Sequence, residues 1–370
     1  MISFGPSEEQ ELIRQTVSEF AQNELREIAR ECDEKSALPD DFLQKTWELG
    51  LVNSAIPAEL GGGGLDRSPV TNALVLEELA HGCASLAAAA FAPAGFIHAL
   101  LDFGTEQQKR EYLPLFTGTT FRAASLAVSE SRFAFEPANL RTVAEPKGDG
   151  FVLSGTKRLV PLGDRASHFL VLARAGTREG LAGVEAFIVP RDARGLKVAA
   201  ETEKTLGLKS LPLARLDLER VEVPAEQRLG GDAGIDARRL VNAAKVGSLA
   251  LGLGVSRAMM EFAIPYAKQR EAFGQPIAQK QTIAFWLADM KIECNSMRWL
   301  IWKAASYLEH GLDASRETAL ASIYAQREIV KLTDNGLQVF GGHGFIRDYP
   351  VEMWYRNART VTVLDAVTSL

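Results

Sequence analysis

The sequence predicts an α+β protein of three consecutive domains: a helical N-terminal domain over residues 1–118, a central β domain over 119–234 and a C-terminal helical bundle over 235–370. Three observations predict it. Apolar residues recur at helical spacing at both ends of the chain. Short β-like runs separated by turn residues fill the middle. One late stretch carries a regular seam of alternating four- and three-residue steps. Helices, then strands, then helices make separately packed layers rather than βαβ units. With 370 residues the chain exceeds what one simple core encloses.

The first helix starts at Ser7, where Glu8, Glu9 and Glu11 favour the positive end of its dipole. Leu12, Ile13, Val17 and Phe20 follow at helical intervals. Pro57 and the run Gly61-Gly62-Gly63-Gly64 punctuate this domain. No Gly-Lys-Ser/Thr follows the glycines, so they read as a flexible connection rather than a phosphate loop. The strand candidates are Phe151–Leu153, Phe169–Leu172, Ala186–Val189 and the alternating stretch Leu213–Val223, with Lys147–Gly150 a turn between strands. The seam then runs Ile283, Leu287, Met290, Cys294, Met297, Ile301, Ala304 and Leu308. Its spacing predicts a long helix packed on other long helices, with its sulfur-bearing residues in the core.

Composition narrows the function. A net charge of −6 gives no general attraction to nucleic acid or to an anionic membrane. No apolar run approaches the roughly 20 residues that span a bilayer, and the first residues lack the pattern of a secretion signal. Three widely spaced cysteines, Cys32, Cys83 and Cys294, read as reduced thiols of a cytoplasmic protein. His81, His98, His168, His310 and His343 have no metal-ligand spacing, and no serine sits in a G-x-S-x-G elbow. Metal hydrolysis and serine hydrolysis are set aside, and His343 reads as a surface residue.

Local motifs then accumulate in a fixed order. Glu48–Leu51, Ile56-Pro57, Glu77–Ala80 and Phe103–Gln107 come first, then Gly155-Thr156-Lys157. Arg270–Ile277, Leu287–Met290, Gln338–Phe345 and Tyr349–Glu352 follow. In this order they resemble the acyl-CoA dehydrogenase family over essentially the whole chain. The resemblance implies a helical domain, a β-barrel and a four-helix bundle, usually assembled as tetramers. It also implies FAD at a subunit interface, an acyl-CoA thioester as substrate and an electron-transfer flavoprotein as acceptor. A glutamate near the C-terminus removes the α-proton while the β-hydride passes to the flavin.

Position by position, the resemblance divides in two. The contacts a subunit donates to its neighbour's FAD are retained: Arg270 for the pyrophosphate with Phe273 beside it, Gln281 near the adenine, and Gln338, Val339, Phe340, Gly341 and Gly342 where the backbone passes the dinucleotide. The contacts to a subunit's own flavin are eroded. The family's Thr-Glu-Pro-x-x-Gly-Ser-Asp becomes Ser129-Glu130-Ser131-Arg132-Phe133-Ala134-Phe135-Glu136, in which Ser129 keeps a hydroxyl and Phe135 replaces a small serine. Its Trp-Ile-Thr-Asn becomes Leu159–Leu162, and its Tyr-Glu-Gly-Thr becomes Leu364–Val367.

Asp365 matches the catalytic glutamate but is one methylene shorter, which withdraws its oxygens by about 1.5 Å. Some relatives carry the base on the bundle's first long helix, where this chain has Ala244. Asn242 and Lys245 match a substrate-holding pair there, with lysine in place of arginine's fork. The expectation is a FAD-dependent acyl-CoA dehydrogenase subunit in an α2β2-like heteromer with a related chain, acting on a bulky, steroid-type acyl-CoA. The alternatives are a self-sufficient homotetramer with Asp365 as base, and an inactive structural or regulatory paralogue.

Overall fold

The computed structural model describes residues 5–131, 135–364 and 366–370. The N-terminal part is helical: α1 (Glu8–Phe20), α2 (Arg26–Lys35), α3 (Phe42–Glu48), α4 (Pro69–Phe91), α5 (Ala94–Phe103) and α6 (Glu106–Tyr112). Ser7 caps α1 through a reciprocal box: its hydroxyl accepts from the Gln10 N–H at 3.2 Å, and its own N–H donates to the Gln10 side chain at 2.9 Å.

By length and composition α4 could cross a membrane, yet its apolar stretch is buried inside the protein and only its first turn, Val70–Asn72, is partly exposed. It also breaks in the middle, at Cys83 (φ −159°, ψ 117°). The cause is close packing against the π turn Ala21–Leu25, where a Cβ on Gly82 would fall 2.4 Å from the Ala21 carbonyl oxygen. The break costs a helical hydrogen bond, and Arg26 compensates by donating to the His81 carbonyl at 2.6 Å.

The four glycines are not a flexible connection. They form a turn laid on residues 54–57, with Gly62 N–H bonded to Pro57 and Gly64 N–H to Ile56. A Cβ on Gly62 would stand 2.2 Å from the Ile56 carbonyl oxygen, so close backbone approach is what requires glycine there.

The middle part is a curled seven-stranded sheet: β1 (Ala124–Ala127), β2 (Val143–Lys147), β3 (Gly150–Pro161), β4 (His168–Ala175), β5 (Val184–Pro190), β6 (Leu196–Val198) and β7 (Leu213–Val223). β1 and β2 share one edge of β4, both parallel to it, and β5 lies antiparallel on its other edge. β2 pairs with β3, β3 with β7 and β7 with β6, all antiparallel. The four runs expected from the sequence lie in β3, β4, β5 and β7. The short strands β1, β2 and β6 lack a comparable apolar signal.

The C-terminal part packs α7 (Ala237–Gln269), α8 (Gln281–Glu309), α9 (Ser315–Val339) and α10 (Val351–Val361) together, with α4 laid along α7. The seam of α8 is confirmed: Met290, Cys294, Met297, Ile301, Ala304 and Leu308 are buried, while Ile283 and Leu287 pack against the same core from its edge. Charge fastens the first domain to the last. Glu77 and Glu78, buried on α4, receive Arg257 of α7 at 2.7 and 2.8 Å, and Glu77 also receives Arg298 of α8 at 2.5 Å.

Candidate active site

Two structures built by different means are relevant. The first is a groove of about 670 Å³ at the end of α7. Arg270 terminates that helix, its N–H bonded to the Tyr266 carbonyl at 2.8 Å. A two-stranded hairpin, β8 (Glu271–Ala272) and β9 (Gln275–Pro276), follows at once. Its loop is Phe273-Gly274, with φ of +56° and +77°, the doubly left-handed turn that matches strand twist. The turn holds the Phe273 ring out at 95% exposure, with the Lys280 ammonium 5.6 Å from its centroid.

The opposite lip is the end of α9. Gln338 is exposed, while Val339 and Phe340 are buried beneath it. Phe340 stacks on Tyr266 at 4.0 Å between ring centroids, which ties the end of α9 to α7. Gly341 stops the helix with φ +55°. Gly342 has no such conformational duty, and a Cβ on either glycine would meet nothing within 4 Å. The groove thus unites Arg270, Phe273, Gln338, Val339, Phe340, Gly341 and Gly342. Gln281 begins α8 beside Lys280 but does not line it. Lys280 and His343 do line it, although sequence reasoning missed the first and read the second as surface. The signal available for Lys280 was its place just before the matched glutamine, Gln281, that begins α8.

The second structure is a wall in the sheet domain. Ser129 follows β1 and is buried, and its carbonyl accepts the Arg158 N–H at 2.9 Å. The adjoining Glu130 is buried and fully engaged, accepting from Arg141 N–H at 2.7 Å, Thr142 N–H at 2.9 Å and Lys157 Nζ at 2.8 Å. Burial pushes the Glu130 carboxyl up, but the Lys157 charge and these donors outweigh it and hold it below its ordinary range. Burial also pushes Lys157 down to about 8, against the raising effect of Glu130.

Beyond Lys157 the pairing with β7 slips, and Leu159 sits in that bulge with φ +57°. A left-handed leucine costs roughly 1–2 kcal/mol. It is held by Glu203, which accepts the Leu159 N–H at 3.0 Å and clamps Arg158 at 2.8 and 2.5 Å. Pro161 offers its carbonyl to the Ser125 hydroxyl at 2.5 Å. Phe135 and Leu159 pack half-buried against the core.

Asp365, Arg132, Phe133 and Ala134 lie outside the described residues. Leu364 and Ala366, which flank Asp365, are buried. Asn242 is buried on α7 with its amide 3.4 Å from the Ser315 hydroxyl, so its hydrogen bond points to the start of α9. Lys245 is half-buried on the same helix. The structure does not gather these two with the groove residues.

The fold and the cleft define a class: a helix–sheet–helix protein whose last domain presents a cofactor-sized groove made from a hairpin and a helix stop. Models of the acyl-CoA dehydrogenase N-terminal, middle and C-terminal domains match residues 7–119, 125–221 and 235–365. The chain belongs to the acyl-CoA dehydrogenase family, and with that it is an FAD-dependent oxidoreductase.

The mitochondrial short-chain specific acyl-CoA dehydrogenase of Rattus norvegicus is 31% identical over 367 residues, 98% of this chain and 88% of that protein. The short-chain specific enzyme of Clostridium acetobutylicum is 30% identical over 373 residues, covering 100% and 97%. Butyryl-CoA dehydrogenase from Megasphaera elsdenii superimposes with a TM-score of 0.88 at 27% identity, covering 98% and 95%.

The groove fits the dinucleotide end of FAD on structural grounds. Arg270 is an exposed fork at a pocket whose far lip, Gly342, lacks a side chain for no reason internal to the chain.

Proposed function

We propose that this chain is one subunit of a heteromeric acyl-CoA dehydrogenase and completes a FAD site shared with a related partner. One observation carries the reading. Arg270, Phe273, Gln338, Gly341 and Gly342 of the groove are exposed, while the chain's own wall presents Phe135, Leu159 and Pro161, which offer no side-chain donor. Phe273, Phe285, Ile292 and Ile323 leave large apolar groups exposed on the groove and on the outer faces of α8 and α9, as a subunit contact requires.

FAD, when bound, supplies the hydride acceptor. Arg270 holds its pyrophosphate, and Gly341 and Gly342 let the backbone approach it. Ser129 retains a hydroxyl at the flavin wall. Asp365, or a longer carboxylate on the partner, takes the α-proton of the thioester. The alignment with short-chain enzymes supports α,β-dehydrogenation of an acyl-CoA. The steroid-type acyl group rests on the resemblance to heteromeric members alone. An electron-transfer flavoprotein is the proposed electron acceptor.

The test is FAD counting on the purified chain, alone and co-expressed with a related acyl-CoA dehydrogenase chain, followed by anaerobic addition of butyryl-CoA and a steroid side-chain CoA thioester. The expectation is little flavin alone, about one FAD per pair together, and bleaching by an acyl-CoA only in the pair. One tightly held, reducible FAD per chain in the lone protein would instead make it self-sufficient. Colourless protein in every pairing would make it a non-catalytic paralogue.

A further inference from the structure

We infer that Lys280 is a second cation of the dinucleotide groove, and that its ammonium holds one phosphate of the FAD diphosphate while the Arg270 fork holds the other. The inference rests on the shared-FAD reading above. The charge of the groove stands without it.

Lys280 lies outside both matched motifs, Arg270–Ile277 and Gln338–Phe345, yet it lines the groove. Arg270 and Lys280 are the permanently charged residues of that lining. Among the described residues no aspartate or glutamate lines the groove, and none comes within ion-pair distance of either cation. Much of the remaining wall is apolar, with Ile277, Ile283, Val339 and Phe340 in it. Apolar walls and two cations suit a ligand that joins a planar ring to a diphosphate, as the adenosine end of FAD does.

The backbone ties the two cations together across the base of the hairpin. The Ile277 N–H donates to the Arg270 carbonyl at 2.8 Å, and the Lys280 N–H donates to the Ile277 carbonyl at 3.0 Å. Arg270 thus closes α7 where Lys280 opens α8. The Phe273 ring projects from the turn between them, with the Lys280 ammonium 5.6 Å from its centroid. A contact so exposed biases the ammonium toward the groove without binding it there.

The fold makes little use of this lysine. It is the N-cap residue of α8, and its side chain makes no capping bond. A positive side chain also opposes the positive end of that helix's dipole. The repulsion becomes an advantage once an anion sits beside both, because dipole and ammonium then attract it together. A diphosphate suits the pair better than a single phosphate. Arginine's planar fork grips two oxygens of one phosphoryl group, and lysine's compact charge serves the next.

The test titrates the lone chain by calorimetry at low ionic strength with ADP and AMP, and counts FAD after dialysis in the assembly with a related chain. Wild type is compared with Lys280→Ala, Lys280→Glu, Lys280→Arg and Arg270→Ala. Thermal melting checks that each variant folds. Wild type is expected to bind ADP more tightly than AMP. Lys280→Ala should weaken ADP roughly tenfold, the value of one charge-assisted phosphate contact, and narrow that preference. Lys280→Glu should weaken it further, and Lys280→Arg should keep most of the affinity. FAD retention in the assembly should follow the same order.

No binding of ADP, or an affinity that Lys280→Ala leaves unchanged, overturns the inference. Equal losses from alanine and glutamate also overturn it, since shape and not charge would then matter at this position. Equal binding of AMP and ADP overturns the assignment to the diphosphate. Failure of the underlying reading looks different: Arg270→Ala would leave FAD content untouched as well, while the ADP titration still reports on Lys280.

Discussion

The groove at the end of α7 and the wall beside β3, the two parts of the proposed active site, are built oppositely. The groove takes its shape from backbone: a left-handed hairpin turn, a helix stop and two glycines, with the Phe273 ring and the Arg270 fork left in solvent. The wall takes its shape from buried charge: Lys157 on Glu130, and Glu203 clamped on Arg158 beneath a strained Leu159. In the groove, function and stability should be separable at Arg270, Phe273 and Gln338, whose side chains are exposed, although Phe340 beneath them also ties α9 to α7. In the wall they are not, because the groups that set its shape also hold the sheet together.

The sharpest attempt to break this contrast is Lys157→Met. It leaves Glu130 buried with two backbone donors and no counter-charge, and breaking such a pair costs about 3–5 kcal/mol. Chemical denaturation should show that loss, and adding Glu130→Gln in the same chain should recover part of it. A loss below about 1 kcal/mol would mean that the wall is not held by charge.

Acid probes the same pair. Glu130 has its carboxyl depressed below the ordinary 4.5. Its contribution is therefore present above that value and lost as pH falls through the folded one, since the unfolded chain takes up the proton first. Acid unfolding of Glu130→Gln should accordingly be flatter below about pH 4.5 than that of wild type.

Arg270→Ala addresses the other half. The side chain is exposed, so stability should change by less than about 0.5 kcal/mol. FAD affinity in the assembled complex should fall roughly 10- to 100-fold, the loss of one charge-assisted pyrophosphate contact of about 1.5–3 kcal/mol. An unchanged FAD content after dialysis would remove Arg270 from the cofactor site.

How much of this was legible in the sequence follows the same division. The groove's two lips could be located because each is a contiguous motif of the resemblance, Arg270–Ile277 and Gln338–Phe345, and the hairpin turn and the helix stop fall inside them. The α8 seam was legible because one period runs through eight residues from Ile283 to Leu308, about seven turns of helix. The wall's supports were not. Lys157 and Glu130 lie 27 residues apart, and Glu203 reaches Arg158 across 45, with no local pattern announcing either pair. The break in α4 at Cys83 was equally hidden, because its cause, the Ala21 carbonyl against Gly82, lies in another helix. The four glycines misled for a related reason: composition records chain freedom, while the close approach to Ile56 that removes it is tertiary.

The smallest effect is the most discriminating, because it compares two adjacent glycines that sequence alone treats alike. Gly341 has φ +55°, so Gly341→Ala should cost about 1 kcal/mol in stability, a strained left-handed alanine at a helix end. Gly342 carries no such strain, and its added methyl would enter open space, so Gly342→Ala should melt within about 0.5 kcal/mol of wild type. Its effect should appear only once FAD and the partner subunit approach that surface, as weaker flavin retention in the complex. Denaturation of the lone chain beside FAD counting in the assembly separates the two substitutions. If Gly342→Ala destabilises the lone chain as much as Gly341→Ala does, both glycines serve the fold. If flavin retention is untouched by Gly342→Ala, nothing presses on that side of the groove and the donated site loses its far lip.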